Sequence, residues 1–252
     1  MIAHLRRAIP ARRDDRGTSL TEMLISMTIF SVLLAAVGTL TIGFMRTNAQ
    51  SISRQDQVDS ARVVVATMTK TLRTAVMPSQ LTTTCTLCTQ DAFVLGRDFA
   101  VQFYANVNNP GNTVGPSRVT YTLTTSGVGA GTLVEKVQVP DSNVPAATGY
   151  VYCDAEASGA PAACRNRLKS RTLATGVQSD TGAIFAYYDR TGARLTPPTN
   201  GTLTADELKR VLAVELVVSV QSQNATKVDP TTYIQRVTLP NAQAVLRQDE
   251  ED

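Results

Sequence analysis

Residues 16–45 read RGTSLTEMLISMTIFSVLLAAVGTLTIGFM. From Met23 to Met45 there is no charged side chain, a run of about 23 residues, enough to cross a bilayer core as a helix. Yet Glu22 stands immediately before that run. An ionised carboxylate in hydrocarbon costs a few kcal/mol or more, so a plain anchor or secretory signal avoids one there. Glu22 is either a cap at the start of a helix or a charge kept for a partner. For the first reading, Ser19-x-x-Glu22 has the spacing of a capping box, and a carboxylate near a helix N-terminus is favoured by the macrodipole. Working outward from this stretch separates the two.

Upstream, the first 17 residues carry Arg6, Arg7, Arg12, Arg13 and Arg16 against Asp14 and Asp15. That imbalance accounts for the whole net charge of +3, so the rest of the chain is near neutral and gives no ground for nucleic-acid binding. Basic residues before an apolar run read as a cytoplasmic anchor. The only histidine, His4, lies in this leader. Without the leader there is no imidazole for Ser-His-Asp or Cys-His nucleophile activation, or for a His-ligated zinc.

Downstream, the helical pattern continues and changes character at Arg46. Ala61, Val65, Met68, Leu72 and Ala75 fall on one helical face, while Arg54, Asp59, Arg62, Lys70 and Arg73 take positions that stay wet. Pro78 marks the expected end of the helix. Beyond it the pattern is of strands: 92–95, 99–105, 118–123, 132–139, 183–189, 210–221 and 232–240, separated by Gly, Asn and Pro clusters. Val214, Leu216, Val218 and Val220 alternate onto one face, Asp189-Arg190-Thr191-Gly192 has type I turn composition, and Phe185, Tyr187 and Tyr188 read as core and edge residues of a strand. The span 140–164 reads as loop, and QDEED (248–252) as a solvated acidic tail. The expected architecture is α+β, a long N-terminal helix whose amphipathic half covers a mostly antiparallel sheet. The expected segments are a leader (1–17), a transmembrane half-helix (18–45), an amphipathic half-helix (46–77) and a β-rich domain (78–252).

Four cysteines occur, Cys85, Cys88, Cys153 and Cys164. The even count fits two local disulfides in an exported domain, Cys85 with Cys88 and Cys153 with Cys164. Free thiols and a four-thiolate zinc are the alternatives, although only the first pair has zinc-knuckle spacing. Asp154, Glu156 and Asp189 are the carboxylates an enzyme without histidine would draw on, but they are scattered through loops and turns.

A basic leader, then Gly17, then Thr18-Ser19-Leu20-Thr21-Glu22, then an apolar helix, resembles the class III signal of type IV prepilins and pseudopilins. The resemblance implies cleavage between Gly17 and Thr18 by a membrane-embedded prepilin peptidase, followed by N-methylation of Thr18. It implies that the apolar helix becomes the packed core of a filament. Glu22, fifth in the mature chain, would neutralise the amino terminus of a neighbouring subunit. A carboxylate in such a core is tolerable when paired with an ammonium. The family most often has phenylalanine where Thr18 stands. Major pilins often carry a mid-helix proline; here only Gly38 and Gly43 loosen the run.

The layout after the anchor is similar to minor pseudopilins of the J type from type II secretion systems. The resemblance implies a structural subunit with no catalytic activity and no cofactor. Its partners would be the prepilin peptidase, other major and minor pilins, an inner-membrane assembly platform and, before assembly, the membrane itself. The chain would be single-pass in the inner membrane, with its C-terminal domain outside. The rival readings are a pilus-tip adhesin or DNA-uptake binding module and, further off, a membrane-anchored exported enzyme.

Overall fold

The computed structural model describes residues 19–82, 88–221, 229–239 and 241. Among the described residues a single 53-residue helix, α1 (Leu20–Leu72), comes first, and nine strands follow in two antiparallel sheets. The described residues up to Ala49 and those from Gln50 onward form two compact units. The arrangement is α+β, as the sequence predicts, and consistent with a pilin-like fold. Where one sheet is expected, however, there are two.

The first sheet has the order β1-β2-β3-β4-β5, made of Phe93–Gly96, Ala100–Ala105, Ser117–Leu123, Leu133–Gln138 and Leu168–Ala174. The second has the order β7-β6-β8-β9, made of Arg194–Leu195, Phe185–Tyr188, Ala213–Val220 and Thr231–Thr238. In β3 strict alternation buries Ser117, Val119, Tyr121 and Leu123. In β8 the predicted face of Val214, Leu216, Val218 and Val220 is buried. The stripe predicted on α1 is likewise buried, with Ala61, Met68 and Leu72 fully excluded from solvent and Val64 added to it. These residues share one core cluster with Val101, Phe103 and Tyr121 of the first sheet and Tyr187, Leu216 and Val237 of the second. Helix and sheets therefore stabilise each other by removing apolar surface from water.

A polar tie accompanies the apolar one. Glu135 of β4 is buried; the Tyr121 hydroxyl donates to its Oε1 at 2.8 Å, and the Arg171 guanidinium of β5 donates to Oε2. Burial, above all, pushes the Tyr121 hydroxyl well above the ordinary phenol pKa, so it stays a donor.

Three boundaries differ from the sequence reading. The helix ends at Leu72 rather than near residue 77, because the backbone is drawn into the sheet beyond it. The Thr74 and Ala75 amides tighten onto Thr71 and Leu72, and Ala75 then forms a bridge with Ala105. Pro78 starts a short 3-10 turn (Pro78–Leu81) instead of stopping the helix. Strand β5 has no apolar alternation, since four consecutive central residues are exposed at a sheet edge, so periodicity could not reveal it. The loop 140–164 contains a four-residue helix, α2 (Ala162–Arg165), and a further short helix, α3 (Ala205–Lys209), precedes β8.

Candidate functional site

Of the residues singled out at the N-terminus, Gly17 and Thr18 lie outside the described residues. Ser19 opens α1. Its carbonyl accepts the amides of Glu22 and Met23 at 2.9 and 3.1 Å, while its hydroxyl sits 2.8 Å from that of Thr21. The capping box that the spacing allows is therefore not made: the Glu22 amide is already taken by a backbone carbonyl, and the Ser19 hydroxyl is occupied by Thr21. Where a capping box does form is α3. There the Thr204 hydroxyl accepts from the Glu207 amide, and the Glu207 carboxylate accepts from the Thr204 amide at 2.8 Å. Those bonds, the backbone one first, hold the Glu207 carboxyl below its ordinary pKa. Glu22 has no such partner. Among the described residues its carboxylate makes no hydrogen bond and no ion pair, and the helix dipole alone favours it.

Behind Glu22, every residue from Ser19 to Gln50 is exposed. Leu24, Phe30, Leu33 and Phe44 each expose more than half of their surface. A helix that is apolar all round is stable only when something else covers it, a bilayer or other helices. The polar side chains within the run are compatible with either. The hydroxyls of Thr28, Ser31, Thr39 and Thr41 each donate at 2.8 Å to a carbonyl three or four residues back, those of Ile25, Thr28, Ala36 and Val37. Hydroxyls bonded to their own helix leave no unsatisfied donor, which matters where there is no water. The run is thus long and apolar enough to cross a membrane, with one carboxylate at its head.

The candidates in the β domain have local explanations. Asp189 Oδ1 accepts from the Thr191 hydroxyl and from the Thr191 and Ala193 amides, closing the predicted turn with Gly192 at φ +81°. Those bonds, the hydroxyl first, hold its carboxyl below the usual range. Asp154 accepts the Glu156 amide at 3.1 Å, and Glu156 pairs with Lys136 at 2.6 Å. Among the described residues no group of three or more His, Cys, Asp or Glu side chains stands close enough to hold a metal ion.

Cys153 and Cys164 form a disulfide with Cα atoms 6.0 Å apart. Their sulfurs are therefore not available as zinc thiolates, and the four-thiolate alternative is excluded. Cys88 is also disulfide-bonded, while Cys85 lies outside the described residues. The loop that carries Cys153 is moored by residues the sequence does not single out. Gln138 Nε2 donates to the Cys153 carbonyl at 2.7 Å, and the Tyr152 hydroxyl donates to the Pro116 carbonyl at 2.5 Å. Arg118 donates to Gln138 and stacks 5.0 Å from the Tyr152 ring centroid.

Comparison with known proteins agrees with the N-terminal geometry. Residues 12–38 match the family model of the prokaryotic N-terminal methylation motif. The matched segment includes Gly17, Thr18, Glu22 and the apolar run as far as Gly38. No curated protein and no solved structure matches the chain. The chain thus carries a type IV prepilin-like signal and is pilin- or pseudopilin-like at its N-terminus.

Proposed function

We propose that this chain is a minor pilin or pseudopilin, a structural subunit without catalytic activity. Prepilin peptidase cuts between Gly17 and Thr18, the new amino terminus at Thr18 is methylated, and Glu22 becomes the fifth residue of the mature chain. Before assembly the protein sits in the inner membrane by residues 18–45, with its leader in the cytoplasm and its β domain outside. An assembly platform then draws it into a filament with other major and minor subunits. There the apolar half of α1 packs among its counterparts, and Glu22 pairs with the amino terminus of a neighbour. The order of elements after the helix favours a J-type subunit near the tip of a type II secretion filament.

The observation that carries this reading is the coincidence of three features at one point. A carboxylate without a partner among the described residues heads an uninterrupted apolar half-helix whose residues are all exposed, and residues 12–38 around it match the N-terminal methylation motif. A simple anchor accounts for the helix but not for the carboxylate.

The test is intact-mass measurement and N-terminal sequencing of the full-length protein, produced with and without a prepilin peptidase. The reading expects the peptidase to expose Thr18, with the added mass of a methyl group when the amino terminus is modified. A terminus that stays at Met1 in both preparations, or is cut beyond the apolar run, sinks it.

A further inference from the structure

Among the described residues the two sheets end in four edge strands, and three of them are defended against further pairing. Strand β1 is four residues long and has a bulge between Phe93 and Leu95. Its Gly96 amide donates to the Thr202 hydroxyl, and the Gly96 carbonyl accepts the Leu203 amide. Strand β7 has only two residues. Strand β5 carries Lys169 and Arg171, the latter turned onto buried Glu135, and its ladder with β4 slips between Leu133 and Val134. Short length, bulges, charges and covering loops are the usual means of blunting an edge. Strand β9 differs. It pairs with β8 over eight consecutive residues without a register shift, and it reads TTYIQRVT, mostly β-branched or aromatic, with no lysine and no proline. Its one charge, Arg236, is drawn back onto Glu215 and the Tyr188 ring. The Leu239 amide donates to the Leu212 carbonyl, and bonded pairs alternate along an antiparallel ladder. Tyr233, Gln235 and Val237 therefore bond to β8, while the amides of Thr232, Ile234 and Arg236 point away from it. Those three amides have no partner among the described residues, and the three residues are exposed.

We propose that β9 is a docking edge, where an extended segment of a partner protein adds as a further antiparallel strand with acidic side chains toward α1. The edge singles out the place, and the wall beside it sets the chemistry. Between β9 and the helix lies an open cavity of about 360 Å3, which leaves room for another strand. Tyr233 and Gln235 line it from β9, and Arg62, Ala66, Lys70 and Arg73 from the helix side, with no carboxylate among the lining residues. Side chains of an added strand that stand beside Tyr233 and Gln235 enter this cavity at intervals of about 6.8 Å. Arg62, Ala66 and Lys70 follow one another by about 6 Å along the helix. Every second residue of the strand thus meets these three in order, which asks for an acid, an apolar residue and an acid. A second copy does not fit the edge. Thr231 bonds Gln57 at 3.3 Å and Asn241 bonds the Ala75 carbonyl at 3.4 Å, so β9 and residues 57–75 run in the same direction. Two β9 strands paired antiparallel would set the two helices running in opposite directions, whereas helices anchored in one membrane by the same end run alike.

The probe is a capped octapeptide with threonine at its odd positions and glutamate, valine, glutamate and valine at its even ones, added to the full-length protein in detergent. Binding is read from the anisotropy of a dye on the peptide, and pairing from amide hydrogen exchange in residues 231–238. The expected result is saturable binding with exchange slowed at Thr232, Ile234 and Arg236. Ile234→Pro removes an amide that faces away from β8, so it should keep the β8–β9 ladder and weaken binding about tenfold. Ser170→Pro makes the same change at the β5 edge and should leave binding as it is. A further control leaves the protein untouched. Methylating the threonine amides of the peptide, which face β9, should abolish binding, and methylating its glutamate and valine amides should not. Replacing both glutamates by lysine should weaken binding severalfold; an unchanged affinity overturns the acidic assignment. No saturable binding at about 1 mM peptide overturns the proposal. So does equal binding by the Ile234→Pro protein, equal binding of a scrambled peptide, or equal loss from the two methylation patterns. Amides of β9 already protected before peptide is added would overturn it too, and protection that rises with protein concentration would assign the edge to a second copy.

Discussion

The two halves of α1 meet the same physical demand in opposite ways. From Ala61 to Leu72 an apolar stripe is buried against strands of the same chain, with charged residues left on the wet side. From Leu20 to Met45 the apolar surface runs all the way round, and no described residue of the chain covers it. A stripe can be satisfied inside one molecule because it has a single face to hide. A helix apolar on every face cannot, and must find a bilayer or neighbouring helices. Hydroxyls of both halves bond to their own helix, Thr39 and Thr41 in the exposed half and Thr67 and Thr71 in the buried one.

The sharpest way to break this comparison is at Glu22. Glu22→Val should still insert and be cleaved but fail to enter filaments, an all-or-none loss read by shearing and immunoblotting; assembly at the wild-type level would end the pairing reading. Next in size is a matched pair of truncations. Met68→Ala should destabilise the β domain by about 2–5 kcal/mol in denaturant titrations of the detergent-solubilised protein. Leu33→Ala should leave the same transition unmoved, since Leu33 is 58% exposed. A shift of the domain's transition by Leu33→Ala would contradict the division of α1 into two independent halves.

The caps offer a smaller contrast. Thr204→Ala removes a formed cap and should cost about 1 kcal/mol, whereas Ser19→Ala, with no capping bond to lose, should change the domain's stability by nothing measurable. The smallest effect concerns pH. The Glu207 carboxyl is held low in the folded state, so its contribution is complete above the unfolded carboxylate pKa of about 4. That contribution is lost as pH falls through the folded value. The stability difference between wild type and Glu207→Gln should therefore be present at neutral pH and shrink below about pH 4. A difference that grows on acidification would mean that the bonds favour the protonated form.

Local pattern made much of this legible. The charge-free run with Glu22 at its head and the buried stripe of the second half-helix were both readable from residue order, as was the inward face of β8. Each is a property of side chains within a few positions of one another, where burial imposes a period. The turn at Asp189 was readable for a similar reason, because an aspartate placed before a glycine bonds its own neighbouring amides. Capping-box spacing carries no cap at Ser19. Thr204-x-x-Glu207 and Ser19-x-x-Glu22 share the spacing, but only the first forms the reciprocal bonds, since at the second the hydroxyl and the amide each have another partner.

By itself the sequence determined the N-terminal signal, the membrane-length helix, the amphipathic continuation and the β-rich remainder, because each follows from composition and period. Only the tertiary structure decided where α1 stops, that the strands divide into two sheets, and that residues 168–174 form an edge strand. It also brought Arg62 and Lys70 of the helix, with Arg73 just past its end, to one cavity with Tyr233 of β9. These outcomes depend on backbone hydrogen bonds and approaches between residues far apart in the chain. An edge strand is held by its neighbour's backbone amides and carbonyls, which any residue but proline offers equally, and so leaves no mark on the order of its own residues.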